Sequence, residues 1–108
     1  MATTYKVLGQ SAPSANSDTT LYTVPSATST VVSTLSVCNR GASTTFRVAI
    51  RPDGAAIANS HYIVYDNVVS AGDSVFLTLG ISLDTTDVVT VRAGTADTSF
   101  SLFGSEIT

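Results

Sequence analysis

The stretch TTFRVAIRPDG, Thr44–Gly54, decides how the rest of the chain is read. Phe46, Val48 and Ile50 fall on one side of an extended backbone, and Thr45, Arg47, Ala49 and Arg51 on the other. Alternation of this kind marks a strand with one buried face. Pro52-Asp53-Gly54 then turns the chain, because proline fixes φ and Asp and Gly accommodate the bend. Working outward, the two-residue period recurs and helical periodicity is nearly absent. Upstream, Thr30–Asn39 sets Val31, Leu35 and Val37, with Ser33 among them, against Val32, Thr34, Ser36 and Cys38. Asn39–Ser43 is expected to be a turn, with Gly41 available for a positive φ. Thr19–Val24 is a strand stopped by Pro25, which cannot donate to a ladder. Thr4–Leu8 predicts a first short strand, and Gly9–Asp18, rich in Ser, Asn, Gly and Pro, a loop or mobile arm.

Downstream, His61–Val69 predicts a strand with large apolar groups on both faces. Ile63, Tyr65 and Val69 share one side, and Tyr62, Val64 and Val68 the other. Ser70–Asp73 turns into Ser74–Leu79, whose Val75, Leu77 and Leu79 face a core. Ile81–Thr86 is expected to cross the end of a sheet, and Asp87–Ala93 and Thr98–Phe103 complete the set. About eight strands at roughly ten-residue spacing predict an all-β fold, an antiparallel β-sandwich of jelly-roll or Ig-like order. The Cys…Trp…Cys pattern of antibody domains is excluded, since the chain has no Trp and one Cys. Its 108 residues support one core. The expected organisation is an N-terminal strand and flexible arm over residues 1–18 and a single sandwich over 19–108.

Composition narrows the function by exclusion. Charged residues make up 12%, and 15 Ser and 17 Thr partly take their place; soluble domains usually carry about 25% charge. Such a chain suits a surface partly covered by other protein. Five Lys and Arg residues within a net charge of −3 give no patch for phosphates, so no nucleic-acid partner is expected. No apolar run approaches the roughly 18 residues of a membrane helix, and no membrane partner is expected. MATTYKVLGQ (1–10) lacks the apolar centre of a secretory signal. Cys38 alone permits no intramolecular disulfide, which fits assembly in a reducing cytoplasm.

No catalytic, cofactor or metal site is expected. His61 is the sole histidine, and Asp66, an odd number of residues away, falls on the opposite strand face. No serine occupies a G-x-S-x-G elbow. His61 is therefore read as structural and Cys38 as a small buried hydrophobe. Asp84 and Asp87 in LDTTD are expected to bond their own turn backbone rather than calcium. A single His and a single Cys argue against a zinc site within one chain. Arg47 and Arg51 project from one strand face about 13 Å apart, with Arg40 near the adjacent turn. Arginine suits pairing with carboxylates of a neighbouring subunit. These three, with Tyr62, Val64 and Val68, form the candidate protein interface.

The segments LYTVP (21–25), VVSTLSVCNRG (31–41), FRVAIRPDGA (46–55), HYIVYD (61–66), LTLGISL (77–83), DVVTV (87–91) and SFSLFGSEI (99–107) resemble a family of small structural proteins of tailed phages, with cyanophage-like members closest. The opening KVLGQSAP (6–13) fits the same pattern. The resemblance implies an all-β virion protein made in the host cytoplasm and carries over no functional residue. The expected function is capsid decoration: a small cement protein bound outside the head, with the major capsid protein or another virion protein as partner. A homo-oligomer, three copies by the resemblance, is also expected. A tail, neck or fibre-associated role, with host recognition, is the alternative.

Overall fold

The chain pairs with itself as a nested ribbon in a computed structural model that describes residues 2–108. The strands are β1 (Thr3–Ser11), β2 (Thr19–Thr23), β3 (Ser29–Asn39), β4 (Thr44–Arg51), β5 (Tyr62–Val69), β6 (Ser74–Leu83), β7 (Val88–Ala93) and β8 (Thr98–Ile107). β4 pairs with β5, β3 with β6, β2 with β7 and β1 with β8, all antiparallel. Two further antiparallel pairings, β3 with β8 and β4 with β7, join the ribbon into two sheets. The first has the order β1-β8-β3-β6 and the second β2-β7-β4-β5. Every connection except β4–β5 changes sheet. This is the jelly-roll order, one of the two that the strand spacing allowed.

The core lies between the sheets, where the inner faces meet. Val32, Leu35, Val37, Phe100 and Leu102 of the first sheet meet Phe46, Val48, Val69, Val89 and Val91 of the second, all at most 1% exposed. Phe46 and Phe100 touch edge to face, with ring centroids 6.2 Å apart. The alternation in Thr44–Arg51 holds, since Phe46 and Val48 are buried and Arg47 is on the outside.

Bulges account for most departures from the sequence reading. β1 does not end at Leu8: its register shifts between Val7 and Gly9, and Gly9–Ser11 continue opposite Leu102–Phe100. The Asn16 N–H also bonds the Ala93 carbonyl at 2.8 Å. In β3 a shift between Val32 and Thr34 reverses the parity, so Val31 is exposed while Val32 is buried. β6 does not stop at Leu79. Gly80, at φ +58, forms a bulge, and Ile81–Leu83 stay paired with Val32–Thr30 instead of crossing the sheet end. β8 likewise continues to Ile107. His61 lies in a 3-10 turn, Asn59–His61, ahead of β5. Within β5, Asp66 sits at φ +52 and the register shifts around Val48. Tyr62, Val64 and Val68 therefore do not share a face. Val64 packs against the core, Val68 is 60% exposed, and Tyr62 stacks edge-on to Tyr65.

Candidate interaction surface

Charge is unevenly divided between the two outer faces. On the second sheet, Arg47 and Arg92 stand opposite each other in register. Each meets a carboxylate on its far side. Arg47 donates to Asp66 through Nε at 2.6 Å and Nη2 at 3.2 Å, and Arg92 lies 3.6 Å from Asp18. The Arg47 guanidinium also covers the Tyr65 ring at 4.1 Å. It holds the Asp66 carboxyl below its ordinary range, chiefly by hydrogen bonding. Arg51 donates to Thr90 Oγ1 at 3.1 Å and to the Ala55 carbonyl at 3.2 Å. A small depression of about 150 Å³ lies beside it, lined by Asp18, Thr20, Ile57 and Thr90. Arg40 lies instead at the end of the first sheet, where it donates to Ser99 Oγ of β8 at 2.9 Å and to the Ala96 carbonyl at 3.3 Å. Each arginine expected to wait for a neighbouring subunit thus already has partners in its own chain. The cause for Arg47 is local: the left-handed turn at Asp66 swings its carboxylate back over β4.

The outer face of the first sheet is of a different kind. Its four strands contain only two charged residues, Lys6 and Glu106. Lys6 lies opposite Gly104, itself opposite the buried Val32, and Glu106 lies opposite the buried Thr30. Strand alternation therefore turns both toward the inner side. There they close a network at the rim: Lys6 Nζ is 3.1 Å from Glu106 Oε1, and Tyr22 Oη donates to Glu106 Oε2 at 2.6 Å. Tyr22 Oη also lies 2.7 Å from Thr30 Oγ1. Burial, then the Glu106 hydrogen bond, push the Tyr22 phenol up to about 12. The same bond, helped by Lys6, holds Glu106 below its ordinary range.

What remains outside is a face of hydroxyls and apolar groups. Across β1-β8-β3-β6 one row reads Tyr5, Ser105, Val31, Ser82, and the next Val7, Phe103, Thr34, Thr78. A third reads Gln10, Ser101, Ser36, Phe76. Tyr5 is 84% exposed and Phe76 68%. A shallow groove of about 430 Å³ runs beside Tyr5, lined also by Lys6, Val31, Ser33, Phe103, Gly104 and Ser105, so the Lys6 chain borders this face even though its ammonium pairs with Glu106. Depletion of charge with aromatic groups present is the composition of the centre of a protein interface. The alternation already contained this face, but the parity reversal in β3 hid Val31 from the sequence reading.

The remaining sequence candidates bond within turns or lie on a sheet face. His61 Nδ1 accepts the Ala58 N–H at 3.2 Å and closes its own turn. Asp87 accepts the N–H groups of Asp53 and Asp84, and Asp84 accepts that of Thr85, each at 2.8 Å. Cys38 is half-buried rather than buried, because it lies on the outer side between Ser74 and Ser99. Among the described residues no group of three or more His, Cys, Asp or Glu is placed to hold a metal ion. No helix among them is long and apolar enough to cross a membrane. The chain is thus an eight-stranded jelly-roll sandwich with one charged outer face and one poor in charge, where Arg40 sits at the sheet end and Lys6 beside the groove. Comparison with protein-family models, curated proteins and solved structures finds no match.

Proposed function

We propose that this protein is a phage virion structural protein, a decoration or cement protein that seats on the outside of the head and stabilises it. The observation that supports this most is the charge-poor outer face of the first sheet, four strands wide and carrying Tyr5, Val7, Val31, Phe76 and Phe103, with Arg40 and Lys6 only at its margins. Jelly rolls serve viral coats and lectins alike, so the fold by itself selects neither, and the argument rests on the face. A charge-poor face loses little on desolvation, and its hydroxyls retain hydrogen-bonding capacity against a protein lattice. Its opposite face, with Arg47, Asp66, Arg92 and Asp18 paired internally, suits contact with water. Many copies on a repeating shell add strength without a large interface per copy.

The test is co-sedimentation with empty heads. The wild type binds to a saturating copy number, and Val7→Lys and Val31→Lys, both at exposed positions of the charge-poor face, lose at least tenfold in affinity. Arg92→Ser, on the opposite face, binds as the wild type does. Absence of saturable binding, or equal effects from both faces, contradicts the proposal. A second reading, a tail-associated protein that recognises a host glycan, is favoured by the groove where exposed Tyr5 and half-buried Phe103 lie among Ser33 and Ser105. Aromatic faces with adjacent hydroxyls suit a sugar ring. Immunogold labelling of virions separates the two by head or tail position.

A further inference from the structure

Each sheet has two edges, and three of the four are guarded against pairing. β2 has five residues and is followed by Pro25. β5 is bulged and carries Asp66 in a left-handed conformation. β1 carries Lys6 and a register shift at Leu8. Short length, charge, proline and bulges are the usual devices that keep an edge from adding another strand. β6, SVFLTLGISL, spans ten residues without a charge or a proline, and its only device is the bulge at Gly80. It is hydrogen-bonded to β3 on one side and to no strand on the other.

Its inner side is also incompletely covered. Val75, Leu77, Leu79 and Ile81 pack against the core but remain half-buried, whereas Val32, Leu35 and Val37 on the adjacent β3 are fully buried. We infer that β6 is the edge through which two copies of this chain associate, antiparallel about a two-fold axis near Thr78, joining their first sheets into one of eight strands. An axis there sets Leu77 opposite Leu79 and Val75 opposite Ile81 of the second copy, aliphatic against aliphatic. Two-fold pairing also brings side chains near the axis beside their own copies, where a charge would meet a like charge. The uncharged β6 meets no such penalty, which favours a second copy over a charged partner strand. An edge contact of this length falls below about 1,200 Å², the range of weak association. The pair therefore forms at high concentration, or where a surface gathers the copies. It gives an even copy number in place of the three expected from the resemblance.

This inference does not depend on the proposed function, and its test uses the isolated chain with no shell present. Sedimentation is followed from about 10 µM to about 1 mM, since the dimer fraction follows mass action. The expected wild-type mass rises from one chain toward two and no further. Thr78 is exposed on the outer side, so Thr78→Lys and Thr78→Glu retain the fold. An axis at residue 77, 78 or 79 keeps the two copies of residue 78 within about 8 Å. Each variant alone is expected to stay monomeric, and an equimolar mixture to regain at least the wild-type dimer fraction. Amide exchange in the wild type gives an independent reading: protection in β6, and not in β2 or β5, rises with concentration. A monomeric wild type at the highest concentration, single variants that associate as the wild type does, or a mass passing through three overturns the inference.

Discussion

Tyr22→Phe removes one oxygen from the rim network and leaves the ring in place. That oxygen serves two partners: it donates to the Glu106 carboxylate at 2.6 Å and lies 2.7 Å from Thr30 Oγ1. A hydrogen bond to a charged group contributes about 1.5–3 kcal/mol, and an ordinary one about 1 kcal/mol. After the substitution, Thr30, 0% exposed, loses this partner, and Glu106 keeps Lys6. The expected loss is about 2–3 kcal/mol, and at about 4–8 °C per kcal/mol for a domain near this size the Tm falls by about 10–20 °C. Urea and thermal unfolding followed by circular dichroism measure it. A second arm tests the coupling: Tyr22→Phe combined with Glu106→Gln costs less than the sum of the single changes, by about 1 kcal/mol or more. The alkaline limb gives the third reading. Tyr22 has an ordinary value of 10.0 and is pushed up to about 12 in the fold. Its contribution is whole below pH 10 and disappears as pH rises through about 12, and in Tyr22→Phe that part of the slope is gone. A loss below about 0.5 kcal/mol, with additive double-variant energies, refutes the claim that this network fastens β2 to β8.

Thr98 is fully buried and its Oγ1 has no hydrogen-bond partner among the described residues, so Thr98→Val raises stability by about 1 kcal/mol in urea unfolding. Gly104 lies where β3 and β8 approach closely, and a methyl there would strike the Val31 carbonyl; Gly104→Ala lowers stability by about 2–3 kcal/mol, read from the thermal midpoint. Glu106 and Asp66 are held below their ordinary values of 4.5 and 3.8. Their stabilisation is whole above those values and is lost as pH falls through the lowered ones, so acid titrations of Glu106→Gln and Asp66→Asn show shallower limbs than the wild type.

The strands were legible because alternation and turn chemistry agreed along most of the chain. Thr44–Arg51 and Thr98–Phe103 put the same side chains inside that their sequence period assigns there. Strand order was not legible, since it depends on pairings such as β1 with β8 that no local pattern announces. Bulges were the second obstacle. One extra residue near Ser33 moves Val31 to the outside, the left-handed Asp66 separates Val64 from Val68, and the register shift between Val48 and Ala49 separates Val64 from Tyr62. The proposed interaction face was partly legible, since the scarcity of charge in Thr30–Asn39, Ser74–Leu83 and Thr98–Phe103 is visible in the chain. Their gathering on one face follows only from the topology. The partners of Arg47 and Arg51 were not legible for the same reason: Asp66, Thr90 and Ala55 reach them only through folding.

Cryo-electron microscopy of the intact virion tests the central claim most directly. The account predicts density for this jelly roll over the head lattice, with Tyr5, Val31, Phe76 and Phe103 against the shell and the Arg47–Asp66 pair facing solvent. Density found only at the tail, or a head-bound copy seated on its charged sheet, contradicts it.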